Sequence, residues 1–250
     1  MLSATPKRRP LSLQTYFNPL PKHIESYVHI DTFSRLLLSH PNRYLVDYVV
    51  DGLVHGFDIG FTGISQSTLQ KNLLSARQNA QGVDIAIMKE LQRGHTSGPF
   101  SEPPFEVTHC SPIGAVLKKD NSCRLIMDLS QPDGLSINEN INKEDFPVVY
   151  TPFDAATAMV REVGPGCFLS KVDVKHAFRL LPVLPECWHL LCYYWRDMYY
   201  VDTRLSFGLR SSPSIFNQFA DLVCWIIQTI YLIVLLIHYA DDFFLFERRR

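Results

Sequence analysis

The run Leu236-Ile237-His238-Tyr239-Ala240-Asp241-Asp242-Phe243-Phe244 sets two adjacent carboxylates in one of the most apolar stretches of the chain. Two like charges side by side in such surroundings are costly unless something positive compensates them, and a divalent cation is the natural choice. Oxygen-only ligation suits Mg2+, with Mn2+ as a substitute. A third carboxylate, Asp173, closes a similar run, Phe168-Leu169-Ser170-Lys171-Val172, and could complete the set. Two metal ions held by these three acids would activate an attacking hydroxyl and stabilise a leaving phosphate. The competing reading of an isolated Asp-Asp pair is a polar hairpin turn at the surface.

The chain that must position these acids has 250 residues, 46% of them hydrophobic, enough for a sizeable core in one or two domains. Its 24 Lys+Arg against 25 Asp+Glu exclude a histone-like mode in which bulk positive charge binds nucleic acid, so any such site must be local. Six cysteines without a C-x-x-C pair, and no signal peptide, read as reduced thiols of an intracellular protein, cytoplasmic or nuclear. Leu222 to Ile237 is nearly unbroken apolar but only 16 residues long, and acids rather than cations flank it. That favours a buried helix running into a buried strand over a membrane anchor.

Residues 1–22, with Lys7-Arg8-Arg9 and four prolines, read as a mobile arm. Residues 23–95 read as a helical region, with Phe33, Leu36 and Leu37 in one helix, Leu69, Leu73 and Ala76 behind a Ser67/Gln70 capping box, then Ile87 and Leu91 before Gly94. Residues 96–106 are too proline-rich for a helix and predict a linker or extended segment. Ile113–Lys119 and Cys123–Leu129 predict a hairpin about Asp120-Asn121-Ser122, with Leu125, Met127 and Leu129 on one face. Cys167–Asp173 predicts a strand, and His189–Trp195 with Tyr199–Asp202 a second hairpin. Ser212-Pro213 predicts a helix start, with Phe216, Phe219, Val223, Ile226 and Ile230 as its buried stripe, followed by a fully buried strand over Leu232–Tyr239. Cys187, His189 and Cys192 lack a spaced fourth ligand, and no zinc is assigned. The mixture of helices and strands predicts an α+β fold.

Four blocks, in order, resemble the reverse transcriptases. Ser111-Pro112-Ile113-Gly114 through Arg124-Leu125-Ile126-Met127-Asp128-Leu129-Ser130 resembles the fingers hairpin, and Lys171-Val172-Asp173-Val174-Lys175-His176-Ala177-Phe178 the first catalytic motif. Leu205-Ser206-Phe207-Gly208-Leu209-Arg210-Ser211-Ser212-Pro213 resembles the template- and nucleotide-positioning motif, and Tyr239-Ala240-Asp241-Asp242 the Tyr-x-Asp-Asp box. The wording is most similar to retrotransposons of the DIRS type, with gypsy-like elements next.

The resemblance implies right-hand polymerase fingers over residues 96–165 and a partial palm over 166–250, after a helical N-terminal region. It implies Asp173, Asp241 and Asp242 as catalytic metal ligands for two Mg2+ ions, with the Val174 carbonyl as a further ligand. The partners implied are an RNA or DNA template with its primer and a deoxynucleoside triphosphate (dNTP), and no membrane. Lys118 and Arg124 are implied as the triphosphate grip, the bland alternative being solvated hairpin cations. Phe178 stands where the family carries its sugar gate, against a core phenylalanine as the alternative. Phe207, Gly208 and Arg210 are implied as neighbours of the nucleotide, and Tyr239 of the primer terminus, unless Tyr239 is simply a core tyrosine. Ser206 replaces the family's usual proline. Eight residues follow Asp242, and the family's thumb and RNase H domain are not in this sequence, so the expectation is a chain with little or no polymerase activity by itself.

Overall fold

The computed structural model describes residues 17–119, 122–233 and 235–248, so the Lys7-Arg8-Arg9 run and Asp120-Asn121 of the predicted turn lie outside the described residues. The helical lead-in begins with α1 (Ile30–Leu36) and α2 (Arg43–His55). Asn42 caps α2 by accepting the Leu45 N–H at 3.0 Å, and Val46, Val49 and Leu53 bury its inner stripe. Gly56, at φ +94°, ends it where a side chain would stand 2.5 Å from the Leu184 backbone nitrogen.

The Ser67/Gln70 capping box does not form. Residues Thr68–Leu69 are strand β1, and the Ser67 hydroxyl accepts a hydrogen bond from the Thr108 N–H instead. Helix α3 (Leu74–Gln78) starts only after Leu73, and α4 (Ala80–Gln92) follows, burying Val83, Ala86, Ile87 and Leu91. The expected linker is partly strand: β2 (Thr96–Phe100) is buried from Thr96 to Pro99. The end of the expected arm is pinned to it, since Asn18 and Gly98 exchange backbone hydrogen bonds at 2.7 Å.

Strand β3 (His109–Cys110) leads into the predicted hairpin of β4 (Ile113–Leu117) and β5 (Cys123–Met127), paired from Ile113↔Met127 to Leu117↔Cys123. Met127 and Leu129 are buried and Arg124 is exposed, as the period of two requires. Helix α5 (Phe153–Val163) precedes β6 (Phe168–Asp173). The second hairpin joins β7 (Cys192–Trp195) to β8 (Met198–Asp202) through Arg196-Asp197, both at positive φ. Its first strand starts later than expected because a 3-10 helix occupies Pro185–Leu190.

Helix α6 (Ser212–Thr229) carries Pro213 in its first turn, with Ser211 in the capping position. Phe216, Phe219, Leu222 and Ile226 form its buried stripe, whereas Ile230 lies beyond the helix and is exposed. Strand β9 is confined to Leu236–Tyr239, and β10 spans Asp242–Glu247. The fully buried strand expected from Leu232 is therefore half as long. Leu232 is 77% exposed, because the chain leaves α6 through a loop before it can enter the sheet.

The strands form a five-stranded sheet in the order β1-β3-β7-β8-β2, a three-stranded sheet β6-β10-β9 and the β4-β5 hairpin. One hydrophobic cluster joins them, with α6 packed against α2 and β9, and α4 against β2 and β5. The architecture is mixed α+β. Among the described residues no helix is long and apolar enough to cross a membrane.

Candidate active site

The two acidic segments meet in the three-stranded sheet. Antiparallel pairing of β6 with β10 sets Asp173 directly opposite Asp242, and β10 with β9 sets Asp242 opposite Tyr239. Ala240 and Asp241 are thus the loop of a two-residue hairpin. Ala240 takes φ +51°, the positive value that such a loop demands at its first position. The Val174 N–H donates to the Asp241 carbonyl at 3.0 Å, tying the turn to the end of β6. Behind the sheet, His238 Nε2 donates to Asp221 of α6 at 2.8 Å, and Gln228 donates to the Leu236 carbonyl at 2.8 Å.

A cleft of about 420 Å³ opens over this end of the sheet. Asp173, Val174 and Asp241 line it from below, and Lys118, Arg124 and Phe207 line it from the hairpin side and the Leu205–Pro213 segment. The structure therefore brings six of the predicted site residues together. Asp242 is close by but differently engaged, its Oδ2 lying 2.6 Å from Lys171 Nζ. Among the described residues, no three acidic or other metal-binding side chains converge as a ready ligand group. Asp173, Asp241 and Glu90 supply carboxylates to the cleft lining, oxygen donors of the kind that suit Mg2+, beside His176, Cys123 and the cations already named.

The remaining predicted residues stand around the rim. Phe178 is half-buried, its ring 5.0 Å from that of Phe207 and 5.6 Å from that of Phe216, and the Arg124 guanidinium lies 5.5 Å over Phe207. Gly208 has φ +96°, and a Cβ there would stand 2.8 Å from the Met127 carbonyl of β5. Arg210 does not line the cleft; its guanidinium donates to the Ile141 carbonyl at 3.0 Å. Tyr239 is not a core tyrosine: it is 51% exposed and stacked on Tyr150 with ring centroids 4.8 Å apart.

Several residues around the cleft gave no sequence signal. Lys89 of α4 and Arg93 at its C-terminal cap add positive charge to the cleft, beside Lys175 of the Lys171–Phe178 block. Beneath them Glu90 contacts Arg93 and His95 at 2.9 Å each and Arg179 at 3.5 Å, and Arg179 reaches Asp202 at 2.6 Å. Burial alone would push the Glu90 carboxyl up, but the hydrogen bond from His95 and the charges of Arg179, His95 and Arg93 bring it down to about 2. Asn138 is buried against the motif loop. Its amide donates to the Gly208 carbonyl at 2.8 Å and to Ser130 at 2.9 Å, and its carbonyl accepts the Arg210 N–H at 2.8 Å. Only long-range pairing gives these residues their roles, and no local pattern announces it.

No protein-family model and no curated protein matches the sequence. Among solved structures, the chain is similar to a prototype foamy virus protease-reverse transcriptase (CSH mutant), at 19% identity and TM-score 0.54, over 90% of this chain and 30% of that one. It is also similar to the foamy viral protease-reverse transcriptase dRH solved in complex with double-stranded DNA, at 15% identity and TM-score 0.53, over 94% of this chain and 41% of that one. The native prototype foamy virus enzyme gives 17% and 0.53, over 92% of this chain and 31% of that one. The chain thus spans roughly a third of the length of the solved proteins it matches. From fold and comparison together, the chain is an α+β domain whose fold resembles part of the foamy viral protease-reverse transcriptases.

Proposed function

We propose that this chain is the fingers and palm of an RNA-directed DNA polymerase from a retroelement, with fingers over residues 96–165 and palm over 166–250. The wording of its motifs points to the DIRS type. The carrying observation is the shared cleft, in which Asp173 and Asp241 face the cations of the β4–β5 hairpin. Bound through Asp173, Asp241, Asp242 and the Val174 carbonyl, two Mg2+ ions would supply hydroxyl activation and charge neutralisation for nucleotidyl transfer. The primer 3′-hydroxyl attacks the α-phosphate of a dNTP in line, and pyrophosphate leaves.

In this reading Lys118 and Arg124 hold the triphosphate, Arg124 as a fork of donors whose plane is steadied by Phe207. Phe178, braced by Phe207 and Phe216, leaves a ribose 2′-hydroxyl neither space nor a partner, which selects deoxynucleotides. Gly208 lets the motif loop lie close to β5 beside the nucleotide, with Arg210 at its edge. Tyr239, on Tyr150, lies against the primer terminus. The substrate is an RNA or DNA template with its primer, and the setting is intracellular, where dNTPs are available.

A second reading, non-catalytic nucleic-acid or protein binding on the same fold, draws on the Lys171–Asp242 contact, which withdraws one carboxylate from metal ligation. Primer extension on a poly-riboadenylate template with an oligo-deoxythymidine primer, in Mg2+ and in Mn2+, separates the two. Extension, however slow, that disappears in Asp241→Ala/Asp242→Ala supports the polymerase. A folded chain that binds the primed template but shows no Mg2+-dependent dNTP binding supports the second reading.

A further inference from the structure

We infer that Lys171 is a positioning residue that competes with a divalent ion for Asp242, so that this chain loads its metals in order: the Asp173–Asp241 position first and the Asp242-dependent position second. The inference rests on the reading of Asp173, Asp241 and Asp242 as metal ligands.

The strand register builds the competition in. Pairing of Asp242 with Asp173 and of Phe244 with Lys171 puts all four residues on one face of the β6–β10 ladder, since side chains two apart share a face. From there the lysine stem crosses the Phe244 ring, with Nζ 5.8 Å from its centroid, and the ammonium reaches Asp242 diagonally at 2.6 Å.

Asp173 and Asp241 differ from Asp242. Both line the cleft, and among the described residues neither lies within ion-pair distance of a lysine or arginine. An ion entering between them displaces nothing, whereas an ion that needs Asp242 must first displace the ammonium. The Lys171 side chain is 54% exposed, so its hold is that of a surface ion pair and the handicap is modest. Removing the ammonium should tighten the second position by about fivefold and leave the first nearly unchanged. Lys171 therefore orders metal entry and keeps Asp242 aligned, without touching the reacting atoms.

Titration of the full chain with Mn2+, followed by the electron paramagnetic resonance of free Mn2+, reads this directly and needs no catalysis. Wild type is expected to bind one ion more tightly than a second. Lys171→Met should tighten the weaker position about fivefold, and Lys171→Arg, which keeps the charge, should behave as wild type. Identical isotherms for wild type and Lys171→Met would overturn the role of Lys171 while leaving the metal reading intact. Absence of Mn2+ binding in all three folded proteins would overturn the metal reading, and the inference with it.

Discussion

Asp173 of β6 and Asp242 of β10 are directly opposite partners across an antiparallel ladder. Like charges in that relationship oppose folding by a few tenths of a kcal/mol to about 1 kcal/mol. Asp173→Asn should therefore raise stability by about 0.5 kcal/mol in urea unfolding while abolishing Mg2+-dependent dNTP binding. A substitution that stabilises and inactivates together is the signature of a site maintained against folding.

Asn138→Ala should destabilise the chain by about 1 to 2 kcal/mol, because the buried Asn138 amide bonds the Gly208 carbonyl and the Arg210 N–H of a loop exposed enough for water to replace part of what is lost. Gly208→Ala should cost about 2 kcal/mol or more, since its φ of +96° and the 2.8 Å approach of a Cβ to the Met127 carbonyl both oppose a side chain. Urea unfolding of the two variants checks both magnitudes.

At Ala240 two effects oppose each other. A left-handed alanine costs about 1 to 2 kcal/mol, whereas a glycine there loses about 0.4 to 1 kcal/mol through the entropy of the unfolded chain. The first is larger, so Ala240→Gly should be neutral or stabilise by about 1 kcal/mol, and loss of stability on denaturation would contradict the φ of +51°.

Glu90 sets an acid limit. Its folded pKa, at about 2, lies below the ordinary 4.5, so the stabilisation is complete above pH 4.5 and is lost as pH falls from there through about 2. At neutral pH the shift corresponds to about 3 kcal/mol, an amount suited to a side chain only 16% exposed. Glu90→Gln should lower stability at pH 7 and flatten its fall between pH 4.5 and 2, as followed by urea midpoints across that range.

What the sequence made legible was local. The β4–β5 hairpin, β6 and the start of α6 carry their own periodicity or proline placement, and each lies where those signals put it. Legibility failed where a distant partner decides. Thr68–Leu69 is strand because Thr108–Cys110 lies beside it, and β2 forms in a proline-rich segment because β8 offers it a ladder. The cleft followed the same rule. Asp173, Asp241, Lys118 and Arg124 sit in recognisable blocks, whereas Lys89, Glu90, Asn138 and Tyr150 acquire their places only when α4, the Asn138 turn and the segment before α5 close around those blocks.

The central claim is that the cleft over Asp173 and Asp241 is a metal-dependent dNTP site. Equilibrium binding of a fluorescent dNTP to the full chain, with and without Mg2+, tests it most directly in wild type, Asp173→Asn, Asp241→Asn and Arg124→Ala. The account predicts saturable binding that requires Mg2+, disappears in both aspartate variants and weakens about tenfold or more in Arg124→Ala, the loss expected for a charge-assisted grip on phosphate. Binding that is indifferent to Mg2+, or that survives both aspartate substitutions unchanged, would contradict it.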